Sequence, residues 1–566
     1  MACCGPTGVV YIRTTKNSAG QTYYHLVEAY REGSKVRQRT LLSLGRAEDG
    51  KLEALATALS KHLNLISAVD IAKSVSVEGT YVLGPLLVLE ALFEKLGVDA
   101  VLANIASQHG RQEFSLRDVV FAMVAARFVR PTSKLAIFEG MRERMYPGLM
   151  PDDIALHHLY RALDVLHAHR DDLEKGLFFH GRDLLSPEVD VVLYDLTTLR
   201  FESTREDLGE LCRFGYSKEK RSDCTQVVLG LMVDTDGIPL GFEVYPGNTV
   251  EGRTLKDIIH KVRSKFRVRR FVFVADRGLL SKANLDIIRE AKAEFVVGMR
   301  IGGLAKKRPE LYDKKNFKPL AEGFEGFETR FGPDRGLVTW SEVRAERDRK
   351  TRNDILAKIQ KKLAAKKKIS AKAFVSNSNY AFFLKGLDAG KPELDSAKIA
   401  QAEKKDGFFA LVTNIEDINP QTLLQQYKQL WRVEDAFGEF KGTLKARPIF
   451  HWTDERITGH LAMCFIALFC EAHMTRALRA KRLTRDSRAI REDVIDERPL
   501  TAVTVLHELA EVRAVPVTVA KQTLWVRTDI TGHVAELFRA IGARIPPRLI
   551  KSTNVVAQTS PEPACA

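Results

Sequence analysis

The sequence predicts an α/β fold: a mixed sheet flanked by helices, preceded by a small β meander and a helical region, and interrupted by a partly β insertion. Three observations carry that expectation. From residue 189, strand patterns VDVVLYDLTTLRFES and TQVVLGLMVDTDGIPLGFEVYPG give way to alternating helix and strand patterns in TLKDIIHKVRSKF, RRFVFVADRG and EFVVGM. A hairpin followed by helix–strand alternation describes a mixed sheet. Ahead of it, residues 50–185 carry apolar positions at helical spacing, and behind it a basic, partly β stretch breaks the order. The 566 residues exceed what one core can organise, so two to four domains of about 100–200 residues are expected.

In order along the chain, residues 1–49 read as a basic meander: GVVYIRTTK, QTYYHLVEAYR and KVRQRTLLSLG are three alternating segments, the first two separated by NSAG. Residues 50–185, with GPLLVLEALFEKLGV, SLRDVVFAMVAARFV and LHHLYRALDVLHAHRDDLEKGLFF, read as a helical domain suited to binding DNA ends. Residues 186–300 form the first part of the sheet core, where DTDG marks a hairpin. Residues 301–424 read as the insertion, with AFFLKGL and GFFALVTNI as strands and a basic helical arm from Arg344 to Lys372 that holds twelve basic and three acidic residues. Residues 425–475 return to the core, and residues 476–566 make a C-terminal helical region, with QTLWVRTD as a strand and a frayed tail.

Lys and Arg outnumber Asp and Glu by 87 to 72, a net charge of +15, which favours a polyanionic partner, nucleic acid first. Seven cysteines spread over this length do not form a secreted disulfide framework. No signal pattern is read at the N-terminus, and the ten-residue run LAMCFIALFC is about half of what a bilayer requires, so a cytoplasmic protein with no membrane partner is expected. His460, Cys464, Cys470 and His473 flank or lie in that run without finger spacing and read as parts of a buried core helix. No GxxxxGK[ST] loop makes ATP a reagent.

The chemistry is expected at three acids. Asp195 ends the apolar VVLYD and Asp276 ends FVFVAD, so two strands each deliver a carboxylate to an edge of one sheet. The third, Glu434, lies in YKQLWRVEDAFGEFK at 427–441, read as one helix with two stripes. Leu430, Val433, Phe437, Phe440 and Leu444 form a core stripe; Tyr427, Trp431, Glu434, Gly438 and Lys441 form a second about a quarter turn away. Asp435 and Glu439 point about 100° or more away from Glu434. Three converging carboxylates suit two hard divalent cations, Mg²⁺ or Mn²⁺, which would activate a water or a 3′ hydroxyl and stabilise the leaving oxygen of a phosphodiester.

YDLTTL, ADRG and YKQLWRVEDAFGEFK together resemble the DDE transposases of bacterial insertion sequences, in the group marked by a Tyr-x2-Arg-x3-Glu-x6-Lys signature. Tyr427, Glu434 and Lys441 match its spacing; Leu430 stands at the Arg position, followed by Trp431 and Arg432, as in a Leu-Trp subgroup. The N-terminal meander, YPGNTVE and FHWTDERITGHLAMCFIAL extend the resemblance over nearly the whole chain. It implies an RNase H-like core, Asp195, Asp276 and Glu434 as ligands of two metal ions, and Tyr427 and Lys441 as contacts to transposon-end DNA. For the missing arginine, Lys445 or Arg432 is the expected substitute, and Arg277 and Thr197 are candidate DNA contacts through adjacency to the acids.

The expected activity is cut-and-paste transposition by a homodimer or larger assembly on double-stranded DNA, transposon ends and target alike, in a bacterial cell and on its nucleoid. Two alternatives stay open: a transposase-derived DNA-binding protein that no longer cuts, and an RNase H-fold nuclease that hydrolyses without strand transfer.

Overall fold

A computed structural model describes residues 9–32, 35–46, 76–77, 79–180, 191–206, 209–216, 223–250, 254–266, 271–276, 281–304, 307–364, 378–386, 392–480, 501–519 and 522–550. Arg277, all of 50–75, the end of the basic arm at 365–372 and the tail from 551 lie outside these residues. The chain divides into two units: Met1–Thr80 with Val515–Val526 and Leu549–Ser552, and Tyr81–Ala514 with Arg527–Arg548 and Thr553–Ala566.

In the first unit, β1 (Val9–Lys16), β2 (Thr22–Glu32) and β3 (Lys35–Arg46) form the expected antiparallel meander. Asn17 closes its first turn, its Oδ1 accepting the amides of Ala19 and Gln21, and Gly20 supplies the left-handed step at φ 78°.

The second unit begins with helices α1 (Gly84–Lys95), α2 (Val98–His109), α3 (Leu116–Val129), α4 (Leu156–Ala168) and α5 (Arg170–His180). The sheet core follows: β4 (Val191–Arg200), β5 (Gln226–Val233), β6 (Pro239–Pro246), α6 (Leu255–Phe266), β7 (Val272–Ala275), α7 (Lys282–Glu290) and β8 (Glu294–Met299). β4, β5 and β6 pair antiparallel, the last two through the short turn at 234–238, whereas β7 joins β4 and β8 joins β7 in parallel. That pattern is an RNase H-like sheet. A buried ionic cluster secures α5 to α6, with the Nζ of Lys261 and of Lys265 lying 2.7 and 2.8 Å from a carboxylate oxygen of fully buried Glu174.

The strands between 301 and 424 extend this same sheet. β9 (Lys318–Ala321), β10 (Phe324–Phe331) and β11 (Asp334–Trp340) are followed by helix α8 (Glu342–Ala364), α9 (Ser396–Glu403) and β12 (Phe408–Thr413). Spatially the order is β9-β10-β11-β12-β8-β7-β4-β5-β6, so β12 pairs with the core edge strand β8. AFFLKGL, expected as a strand, is instead a helical turn, Ser378–Phe382, and a two-residue strand, Leu384–Lys385. Phe383 and Leu384 are buried against Ile359 of α8, and a short apolar run serves either kind of contact. The arm helix α8 seats itself through Ala345, Arg352 and Ile359, seven residues and hence two turns apart; Arg352 Nη1 reaches both carboxylate oxygens of Asp406.

The stretch expected as one helix is three pieces: α10 (Pro420–Lys428), α11 (Trp431–Gly438) and a wide π turn, Glu439–Thr443. Amides of Leu430, Arg432 and Val433 bond carbonyls three residues back, which tightens the chain at the joint. The core stripe survives, with Leu430, Val433, Phe437, Phe440 and Leu444 all buried. α12 (Asp454–Ala480) then runs through the unit against α3, α4 and β6. Among the described residues it is the helix long and apolar enough to cross a membrane, yet 78% of its most apolar window is buried in the protein. His460, Cys464 and Cys470 lie in its buried length. Gly459 allows close approach, because a Cβ there would collide with the Leu163 carbonyl oxygen of α4. Two further helices, α13 (Ala502–Ala510) and α14 (Gly532–Ile541), complete the unit.

Candidate active site

Strand parity and register bring two of the three acids together. In β4, Tyr194 and Leu196 face the core under α6 and α7, so Asp195 and Thr197 face the other side; in β7, Phe273 and Ala275 face that same core, which turns Asp276 to the side of Asp195. The parallel pairing runs Val191 with Val272, Val192 with Phe273 and Leu193 with Val274. Continued two residues along each chain, that register sets Asp195 opposite Asp276, the residue just past the end of β7.

The reading of Asp195 as strand-terminal is corrected. β4 continues through Arg200, paired along its length with β5, because the polar Thr197 and Thr198 are β-branched and keep the ladder. It is β7 that stops, at Ala275, and its end opens the sheet beside Asp195. Asp276 is exposed and Asp195 half-buried.

α10 packs on β8 and β7 while α11 packs on β4 and β5, so the joint between them crosses the sheet where the two aspartates lie. From α10, the Tyr427 hydroxyl donates to Asp276 Oδ1 at 3.4 Å. Its ring lies over Gly298 of β8, where a Cβ would meet the Tyr427 oxygen at 2.7 Å. From the π turn, Lys441 Nζ donates to the Thr197 hydroxyl on the Asp195 face of β4. Glu434 is exposed on α11, and Gly438 one turn later has open space around it. Among the described residues the trio of potential ligands drawn within 4.8 Å of one another is Glu113, His157 and His158, so the three acids are spaced more widely than that. In that trio His158 Nδ1 accepts the Ala155 amide, which leaves the ring proton on Nε2 and removes it as a metal ligand.

The other sequence candidates lie elsewhere. Arg432 donates to Gln429 Oε1 and to the Asp236 carbonyl in the β5–β6 hairpin and stacks on Trp431, away from Asp276. Lys445 lies past the helix end at φ 45°, so a face counted at 100° per residue does not extend to it; the Arg127 guanidinium binds its carbonyl and that of Leu444. One residue went unsingled by sequence: Arg344, at the start of α8, lines a 200 Å³ open cavity with Asp276, Phe409 and Tyr427. Its only signal was as the first residue of the basic arm.

The far side of α11 is different. Trp431, Arg432, Asp435 and Glu439 line a 290 Å³ cavity with Asp236, Glu471 and Arg479. Burial, reinforced by Glu439, pushes the Glu471 carboxyl up to about 8, and burial also raises Glu439. Asp435 pairs with Arg479 at 3.0 Å.

Residues 187–470 match the family model described as Transposase DDE domain, and residues 11–69 match that of the IS1634 family transposase N-terminal domain. No curated protein matches the chain. Among solved structures, it is similar to a piggyBac transposase in a synaptic complex with hairpin DNA, at 12% identity and a TM-score of 0.35, over 75% of this chain and 79% of that one.

Proposed function

We propose that the chain, which belongs to the DDE transposase family of insertion sequences, binds the terminal inverted repeats of its element, cuts the DNA there and joins the 3′ ends to a target. The observation that carries this reading is the register-matched pair Asp195 and Asp276 at the point where β7 ends, beneath the segment that bears Glu434. An all-carboxylate donor set with Asp276 and Glu434 open to solvent fits a hard divalent cation such as Mg²⁺ or Mn²⁺. The chemistry that two such ions supply at Asp195, Asp276 and Glu434 is polarisation of the phosphate and activation of a water or 3′ hydroxyl.

The remaining steps belong to this chain's own groups. Tyr427 orients Asp276 through its hydroxyl, and the same ring edge is open to a DNA strand lying along the cavity. Lys441, held at Thr197, sets a positive charge on the Asp195 face, where it meets a backbone phosphate as an ammonium point charge. Space at Gly438 lets that backbone pass between Glu434 and Lys441.

The test uses purified protein, Mg²⁺ and a labelled duplex carrying the element's end. Nicking followed by joining to a target plasmid is the expected result, and Asp195→Asn, Asp276→Asn and Glu434→Gln each abolish both steps while end binding is retained. Binding without cleavage in the wild-type protein would establish a DNA-binding derivative instead; cleavage without joining would establish a nuclease.

A further inference from the structure

We propose that Arg344, delivered by the insertion helix α8, binds the phosphate of the DNA strand held at Asp276. The inference rests on the reading of the acids as a DNA-cleaving site, and adds to it a cation from a different part of the chain. Carboxylates that receive a phosphodiester need positive charge close by, because bringing anions together in a partly desolvated cleft is costly. The segment bearing Glu434 brings Lys441 to Thr197 on the Asp195 face; of its other positions, Leu430 is buried, Arg432 is turned to the β5–β6 hairpin, and Lys445 is past the helix end. Arg344 shares a cavity with Asp276 and Tyr427.

Its placement is built rather than incidental. The guanidinium lies over the Phe409 ring, 4.6 Å from the centroid, and that ring packs on Tyr427 at 5.1 Å, whose hydroxyl reaches Asp276. Cation, ring, ring and carboxylate thus form one chain of contacts from α8 through β12 and α10 to the end of β7. Stacking on an aromatic face fixes the plane of the guanidinium, whose fork geometry matches two phosphate oxygens. The helix that carries it is anchored next to Arg344 by buried Ala345 and one turn earlier by Ser341, whose hydroxyl accepts the Arg344 amide at 3.4 Å. Arg344 also pairs with Asp348 at 3.9 Å on a partly exposed helix turn, a weak contact that a phosphate can compete with.

The experiment compares wild type, Arg344→Ala, Arg344→Lys and Asp276→Asn on two 40-base-pair duplexes, one with the element's end and one scrambled. Arg344→Ala should slow first-strand cleavage about 10²-fold at saturating DNA. Its thermal midpoint should stay at the wild-type value, and the slope of log binding constant against log salt should fall by about one on both duplexes. Arg344→Lys should restore the salt slope but only part of the rate, since an ammonium keeps the charge and loses the fork. Cleavage by Arg344→Ala at the wild-type rate with an unchanged slope overturns the proposal, while inactive Asp276→Asn in the same series shows the acid site to be sound. If Asp276→Asn cleaves normally, the reading of the site fails, and the salt slope alone then decides whether Arg344 holds a phosphate.

Discussion

Two sides of one short segment, residues 431–443, carry acids in opposite circumstances. On one side Glu434 is exposed, on the helix that packs on β4, and Lys441 of the same segment is held at Thr197. On the other, Asp435 and Glu439 line a cavity with Glu471, where burial drives Glu471 towards its neutral form and Asp435 is matched by Arg479. The difference teaches that residue type alone does not set what a carboxylate can do. A carboxylate open to solvent can meet a cation, whereas dry burial of the kind that raises Glu471 and Glu439 favours the neutral acid.

The comparison breaks most sharply by exchanging amides for acids on the two sides. Glu434→Gln should lower DNA cleavage by at least about 10³-fold, the scale of losing a group that acts on the reacting phosphate. Glu439→Gln, one turn away, should leave the rate within about threefold, as measured by single-turnover cleavage of the same duplex. Equal losses in the two variants would erase the distinction.

Stability sharpens it next. Glu471 has its folded pKa raised to about 8 from a usual 4.5, so the folded protein binds more protons than the unfolded one between those values. Stability therefore falls as pH rises through that window. Glu471→Gln keeps an acceptor for the Thr475 hydroxyl and removes this loss. It should raise stability by a few kcal/mol at pH 8.5, since each tenfold difference in proton affinity is worth about 1.4 kcal/mol, and by nothing at pH 4. Urea midpoints at the two pH values read the difference.

Smaller effects are expected on the open side. Gly298→Ala places a methyl against the Tyr427 hydroxyl and displaces it from Asp276. Because the methyl also meets the Phe409 ring at 3.0 Å, two packed aromatic rings must shift, and stability should fall by about 1–2 kcal/mol while cleavage falls about tenfold. Lys441→Gln should reduce the salt slope of end binding by about one, a modest and uniform loss across DNA sequences.

Much of the framework around these acids was legible in the sequence because alternation carries it. Period-2 patterning in VVLYDLTTL and FVFVAD sets which face each aspartate takes, and helical spacing set the core stripe from Leu430 to Leu444, all of it buried. The same spacing failed at Lys445, since counting at 100° assumes an unbroken helix and the chain tightens at Leu430 and widens from Glu439. Strand ends were read one strand too simply: Asp195 lies at an opening made by its neighbour's end, not by its own.

By itself, then, the sequence determined the sheet-and-helix order, the basic character, the three acids and the signature spacing of Tyr427, Glu434 and Lys441, because each depends on local pattern. Only the tertiary structure decided that 301–424 would extend the core sheet through β12, that α8 would bring Arg344 to Asp276, and that Glu471 would be buried beneath Glu439. The physical reason is separation along the chain: parallel pairing, an inserted helix and a closed cavity each join residues that no local period relates.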